Sequence, residues 1–342
     1  MVREGIFEVI MELFGFLPTG EEIFKFKLKS DTAEAEIISL GAAIARFRPF
    51  GRDIVCGFAT LDEYLLNGSF HGATVGRVCN RTVGASFAMD GVKYELTKNN
   101  GEHCLHGGAD NFSKKAWDVL GYDDHSVRLG YTSPDGQSGF PGEVRVTAEY
   151  HLEGAALTVR YTAVPNKKTP IMITNHAYFH LGEFGTEVTD YTLRVYADEF
   201  SEVSDKRLPT GRHISVEGTP VDFRAPRRIG ERMADSPIGY DHNFILSPTD
   251  FRESLGRRVG LAAVVEGEGL RLKAYTDQPG MQLYVPRIPV KTPMFNGREQ
   301  ISYGAFCLES QIEPNAPGVG LGFIDAGEKY VSTTVYEAEI AD

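Results

Sequence analysis

Glycine and proline interrupt this chain so often that a long helix has almost nowhere to form: 37 Gly and 17 Pro are spread along 342 residues. Both residues punctuate elements, and neither suits a helix interior. Between the interruptions, apolar and polar residues alternate in β-branched and aromatic runs. Glu143–Tyr150 (EVRVTAEY) and Leu157–Thr162 (LTVRYT) read as a hairpin closing through Glu153 and Gly154. The pattern returns at Tyr191–Tyr196, Leu270–Tyr275 and Val331–Ile340. Asp90 and Gly91, set between Ser86–Met89 and Val92–Leu96, supply the positive φ angles of a type I′ turn and predict a second hairpin. Helical signals are confined to short stretches such as Thr60–Leu66, with Thr60 as a cap and Asn67-Gly68 as a stop. No linker, composition shift or fixed-period repeat divides the chain, so the expectation is an all-β protein built as one large antiparallel β-sandwich.

A hydrophobic share of 42% is enough for a sizeable core. A formal charge of -12 has the wrong sign for a phosphate backbone, which makes nucleic acid an unfavoured partner. The most apolar stretch, Gly5–Leu17, is broken by Glu8 and Glu12, so neither a membrane span nor a secretory leader is expected, and the localisation read from this is cytoplasmic. Glu4, Glu8 and Glu12 recur every four residues beside Phe7, Ile10, Met11 and Phe14, which leaves an amphipathic helix or a terminal strand open there. Residues 1–11 are set apart as an extension and 12–342 as a single domain. Cys56, Cys79, Cys104 and Cys307 have no C-x-x-C spacing and are expected as reduced, buried thiols. Trp117, the only tryptophan, is expected in the core.

Five polar, glycine-rich stretches exceed what strand punctuation requires: Gly76–Arg81 (GRVCNR), Asn99–Gly108 (NNGEHCLHGG), Asn175–His180 (NHAYFH), Tyr240–Phe244 (YDHNF), and Gln278–Gln282 (QPGMQ) followed by Phe306–Gln311 (FCLESQ). Imidazoles, carboxylates, an arginine and amides from distant points suit a polar pocket. His103 with His106, or His176 with His180, match metal-ligand spacings on paper. Positions four apart along a strand lie about 13 Å apart, too far for one ion, so no metal is expected. No nucleophile elbow or phosphate loop occurs. General acid–base chemistry on a neutral, hydroxyl-rich molecule remains, with histidine and a partly buried carboxylate exchanging protons. Asp241 with Glu309 would otherwise suggest glycoside hydrolysis.

These stretches resemble the galactose mutarotase family, the aldose 1-epimerases. Glu12–Gly15 (ELFG), Leu40–Ile44 (LGAAI), Gly57–Tyr64 (GFATLDEY), Gly76–Arg81, the Asp90-Gly91 hairpin, Leu105–Gly108 (LHGG), Asn175–Phe179 (NHAYF), Asp241–Phe244 (DHNF), Pro279–Gln282 (PGMQ) and Cys307–Gln311 (CLESQ) follow in the family's order. The resemblance implies a β-supersandwich with an open carbohydrate cleft, no cofactor, and interconversion of the α and β anomers of aldohexoses such as galactose and glucose. By the same match His176 is the general acid at the ring oxygen and Glu309 the general base at the C1 hydroxyl. His106 joins them in polarising the reacting oxygens, and Asn80, Arg81, Tyr178, Asp241 and Gln282 grip hydroxyls. The sugar is the expected partner, with the protein a monomer or homodimer. Two departures bear on substrate: His180 stands where the family has Asn, and Leu283–Arg287 (LYVPR) lacks the usual Thr-Gly-Asn. Arg287 and Lys291 beside Gln282 raise a hexose-6-phosphate 1-epimerase as the alternative, with a non-catalytic sugar-binding module as another.

Overall fold

In the computed structural model, which describes residues 10–66, 68–204 and 208–341, antiparallel strands dominate. The largest sheet has ten strands. From one edge it runs Asp118–Tyr122, Ser126–Ser133, Val144–Glu153, Ala156–Pro165, Tyr330–Ile340, Leu270–Thr276, Arg257–Gly267, Thr192–Val195 and Arg227–Arg228, with Phe251–Ser254 added on Arg257–Gly267. A four-stranded meander (Met11–Phe16, Glu22–Lys29, Ala33–Ile38, Ala43–Pro49) and a five-stranded sheet complete the layers. The five strands run Pro209–Ser215, Ala197–Val203, Asp241–Leu246, Gly280–Tyr284, Cys307–Gln311.

Period-two alternation decides how the layers meet. Val144, Val146, Ala148, Tyr150 and Leu152 are buried while the residues between them are not. One apolar cluster joins these side chains to Phe26, Ala35 and Phe47 of the meander and to Phe200, Phe244, Met281, Leu283 and Leu308 of the five-stranded sheet. Where a tyrosine enters this core its hydroxyl is paired: Tyr336 donates to the Leu308 carbonyl at 2.8 Å, and Tyr150 to the Ala42 carbonyl. Trp117 is buried in the same cluster, as expected.

Both expected hairpins form. Ser86–Met89 pairs with Val92–Glu95 around Asp90 and Gly91, both at positive φ. Val144–Glu153 pairs with Ala156–Pro165, but the turn is Gly154-Ala155, one residue later than expected, because Glu153 still pairs with Ala156. The α-helix Leu61–Leu66 begins with a capping box: Thr60 Oγ1 accepts the Glu63 N–H at 3.4 Å, and Glu63 Oε2 accepts the Thr60 N–H at 2.9 Å. The helical alternative near the N-terminus does not hold over Met11–Phe16, which is a strand paired with Glu22–Lys29; Glu12 faces Lys25 at 2.7 Å across that pair. Residues 1–9 of the expected extension lie outside the described residues. All four cysteines are buried and free.

Candidate active site

The five-stranded sheet has one apolar and one polar face. Phe244, Met281, Leu283 and Leu308 point into the core. The opposite parity carries Asp241, Asn243, Gln282, Tyr284, Cys307, Glu309 and Gln311. Register aligns Asn243 with Gln282 and Gln282 with Glu309, and likewise Asp241 with Tyr284 and Tyr284 with Cys307. Two irregular segments fold over this face. Thr174–Asn175 pairs with Thr74–Val75, and His176 is then held by backbone bonds at both ends, its N–H on the Ala73 carbonyl and its carbonyl on the Gly72 N–H. Arg81–Thr82 pairs with Cys104–Leu105, after which His106 turns back at φ 52° with its N–H on the Asn80 carbonyl. Gly107 follows at φ 88°; a Cβ there would lie 2.0 Å from the Gly76 carbonyl oxygen, so only glycine lets these two loops touch.

The result is a cavity of about 160 Å³ lined by Asn80, Arg81, His106, His176, Tyr178, Asp241 and Glu309 together with Ser69, Phe70, Leu105 and Tyr284. Seven of the eight expected site residues therefore converge. Gln282 is the exception. Its side chain donates to Asp241 Oδ1 at 2.7 Å from behind and does not line the cavity. Tyr178 is a wall more than a donor: its hydroxyl is spent on the Ser69 carbonyl at 2.8 Å, and its ring stacks on His71 (3.9 Å, 5°) and His176 (5.0 Å, 21°). Arg81 reaches Asp241 Oδ2 at 3.6 Å, which unites the site's cation with one of its two acids.

The other acid is unusual. Glu309 is 2% exposed, and its Oε2 has no hydrogen-bond partner among the described residues. Burial, and then the neighbouring Asp241, push its pKa well above the usual carboxylate range, with Arg81 partly opposing. His176 Nε2 lies 3.7 Å from Glu309 Oε1. Burial and then the charge on His71 lower the imidazole to about 3, while its own backbone pulls the other way. His106, lowered by burial and by His176 and Arg81, is neutral; its Nδ1 accepts the Asn80 N–H at 3.2 Å. That acceptor role places the remaining proton on Nε2, so His106 presents a donor.

One atom from each of His106, His176 and Glu309 lies within 4.8 Å of the others, a grouping that in-strand spacing could not reveal because the residues come from three separate segments. The His106 tautomer argues against an ion there, since a nitrogen carrying a proton has no lone pair to give. Arg287 and Lys291 lie outside the lining; Arg287 packs over Gly239 and donates to the Pro237 carbonyl at 3.2 Å. His180 is also outside, fully buried with its ring on Thr186, Tyr191 and the Gly182 N–H. Tyr284 was findable in the sequence as the residue two beyond Gln282 on the same strand face. Ser69 and Phe70 belong to no motif. Their signal is geometric: Phe70 sits at φ 61° with its ring 4.8 Å from His106.

Residues 25–337 match the family model described as aldose 1-epimerase. Galactose mutarotase of Sus scrofa is 36% identical, the match covering 97% of this chain and 99% of that protein. Aldose 1-epimerase of Escherichia coli K12 is 31% identical over 84% of this chain and 85% of its own length. Among solved structures, galactose 1-epimerase from Lactobacillus acidophilus superposes with a TM-score of 0.86 at 25% identity, covering 97% of this chain and 98% of that one. An aldose epimerase homologue from C. elegans gives 0.85 at 26%, covering 93% and 99%.

Proposed function

The chain belongs to the aldose 1-epimerase family, and on that premise we propose that it interconverts the α and β anomers of free aldohexoses such as galactose and glucose through the His176–Glu309 pair. The observation that carries this is a buried carboxyl with an unpartnered oxygen beside a buried imidazole, both open to a small polar cavity. Opening a cyclic hemiacetal requires one proton to leave the C1 hydroxyl and one to reach the ring oxygen. Glu309 takes the first and His176 gives the second, each transfer contributing roughly 10²- to 10⁴-fold. The free aldehyde then rotates about C1–C2, and the transfers reverse on the other face.

Charge accounting explains why both groups are buried. In the free protein burial keeps the pair neutral, with its one shared proton on Glu309; the reactive closed-ring complex carries that proton on His176 Nε2 instead and leaves Glu309 as carboxylate. With the ring open, both are neutral again. Burial disfavours the separated charges, so it draws the pair toward the neutral form that ring opening generates. His106 donates from Nε2 to the reacting oxygens. Asn80, Arg81 and Asp241 grip ring hydroxyls, Tyr178 forms the wall, and Gln282 holds Asp241 in place.

The phosphorylated alternative needs a cation for the ester. The lining supplies only Arg81, which faces Asp241, and the -12 net charge works against an anionic substrate. The four buried free thiols suit a reducing compartment, and we place the enzyme in the cytoplasm. Among the described residues, no helix is long and apolar enough to cross a membrane. Polarimetry on freshly dissolved α-D-galactose, α-D-glucose and glucose 6-phosphate tests the reading. Acceleration of the free sugars is expected; a rate equal to buffer on both of them, or activity confined to the phosphate ester, overturns it.

A further inference from the structure

The proton transfers assigned to His176 use one ring nitrogen, Nε2, and leave open what the other nitrogen does. His176 Nδ1 lies 3.7 Å from the sulfur of Cys307, and both residues are buried. The two positions are 131 apart in sequence, and strand parity brings them together: Cys307 and Glu309 share a face two residues apart, so the strand that presents the base to Nε2 presents the thiol to Nδ1. We propose that Cys307 is a positioning residue whose sulfur accepts the Nδ1–H of His176, fixing the tautomer in which Nε2 alone exchanges protons with the sugar.

This inference rests on the acid role given to His176. A shuttle at Nε2 runs between imidazolium, with protons on both nitrogens, and the neutral Nδ1–H form, with a lone pair on Nε2. The proton leaves Nε2 for the ring oxygen on opening and returns there on closure, while the Nδ1 proton never moves. For that to hold, Nδ1 must face acceptors throughout. The backbone of His176 itself favours the protonated ring, but its carbonyl already accepts the Gly72 N–H at 3.0 Å. Cys307 provides the side-chain acceptor. Burial and the nearby Glu309 hold its thiol protonated, so the sulfur is a neutral and weak acceptor. A carboxylate in its place would stabilise the imidazolium and make it a poorer acid. A thiol orients the ring without doing so.

The test is C307A and C307S in the full-length protein, followed by polarimetry across pH and by ¹⁵N NMR of the histidine rings. For C307A the expectation is a kcat lower by about tenfold, in the range seen when an orienting partner of a functional histidine is lost. KM for galactose should stay within about twofold, and the pH limb belonging to His176 should move toward lower pH, because an imidazolium without its acceptor is less stable. C307S, which keeps an acceptor, should recover part of the loss. The NMR signature should be a single Nδ1–H tautomer in wild type and a mixture in C307A. Wild-type kcat, pH profile and tautomer in C307A would overturn the proposal, as would a KM effect with kcat unchanged. If wild type itself were no faster than buffer, the functional reading fails; if wild type is active and C307A matches it, only the role of Cys307 fails.

Discussion

Glu309→Gln separates catalysis from stability more cleanly than any other single change in this site. The amide has the carboxyl's shape and fits the same buried position but cannot accept the C1 proton. A positioned base is worth roughly 10²- to 10⁴-fold, and at about 1.36 kcal/mol per decade the barrier should rise by about 2.7 to 5.5 kcal/mol. Stability should respond differently. The folded pKa of Glu309 lies above its unfolded value, so this group stabilises the fold at low pH and loses that contribution as pH rises through the folded pKa. A neutral amide removes the titration, and with Oε2 unpartnered no hydrogen bond is sacrificed. Stability at pH 7 should therefore be unchanged or higher. The assay is polarimetric decay of fresh α-D-galactose, paired with urea unfolding of the same preparations. A variant whose kcat/KM stays within threefold of wild type would refute Glu309 as the base, and a variant that is inactive and also markedly less stable would refute the claim that its burial serves chemistry alone.

Two glycines of similar φ should behave oppositely. Gly91→Ala meets nothing within 4 Å and should cost about 1 kcal/mol for the positive φ alone, with activity retained; Gly107→Ala drives a Cβ to 2.0 Å from the Gly76 carbonyl and should abolish activity even where the protein still folds. Equal effects in unfolding and polarimetry would contradict the loop contact described here. His71, His176 and His242 are held neutral by burial, at about 4, 3 and 4 respectively. The unfolded chain protonates first, so their contribution is whole above pH 6.5 and is lost as pH falls through the window down to those values. By pH 5 the loss is about 2 kcal/mol per histidine, with Glu309 offsetting one proton in the opposite sense. Urea midpoints that do not fall between pH 7 and 5, or a His71→Phe variant with an undiminished slope, would count against this.

What the sequence disclosed depended on how local the cause was. The Asp90-Gly91 and Gly154 hairpins and the Thr60 capping box are decided by neighbours within a few residues, and each was legible, give or take one position at the Gly154 turn. The polar face of Cys307–Gln311 was half legible: an acid inside an apolar run marked Glu309, but only pairing with Gly280–Tyr284 shows that Gln282 turns to Asp241 and that Tyr284 turns to the cavity. Two-residue strands such as Arg81–Thr82 and Cys104–Leu105 are too short to carry a pattern, yet they set His106 against His176, with ring centroids 5.2 Å apart. The family resemblance named those histidines. It could not say which nitrogen of each faces the sugar.

The placement of Tyr330–Ile340 has a consequence for how the molecule is made. This strand lies in the middle of the ten-stranded sheet, and the strands on either side of it, Ala156–Pro165 and Leu270–Thr276, meet only through it. During synthesis the two halves of that sheet would each wait with an open edge until residues 330–340 emerge, the hazard that exposed edges carry. Closure of the largest sheet thus waits on residues 330–340, and a chain cut short of them would hold two unjoined half-sheets.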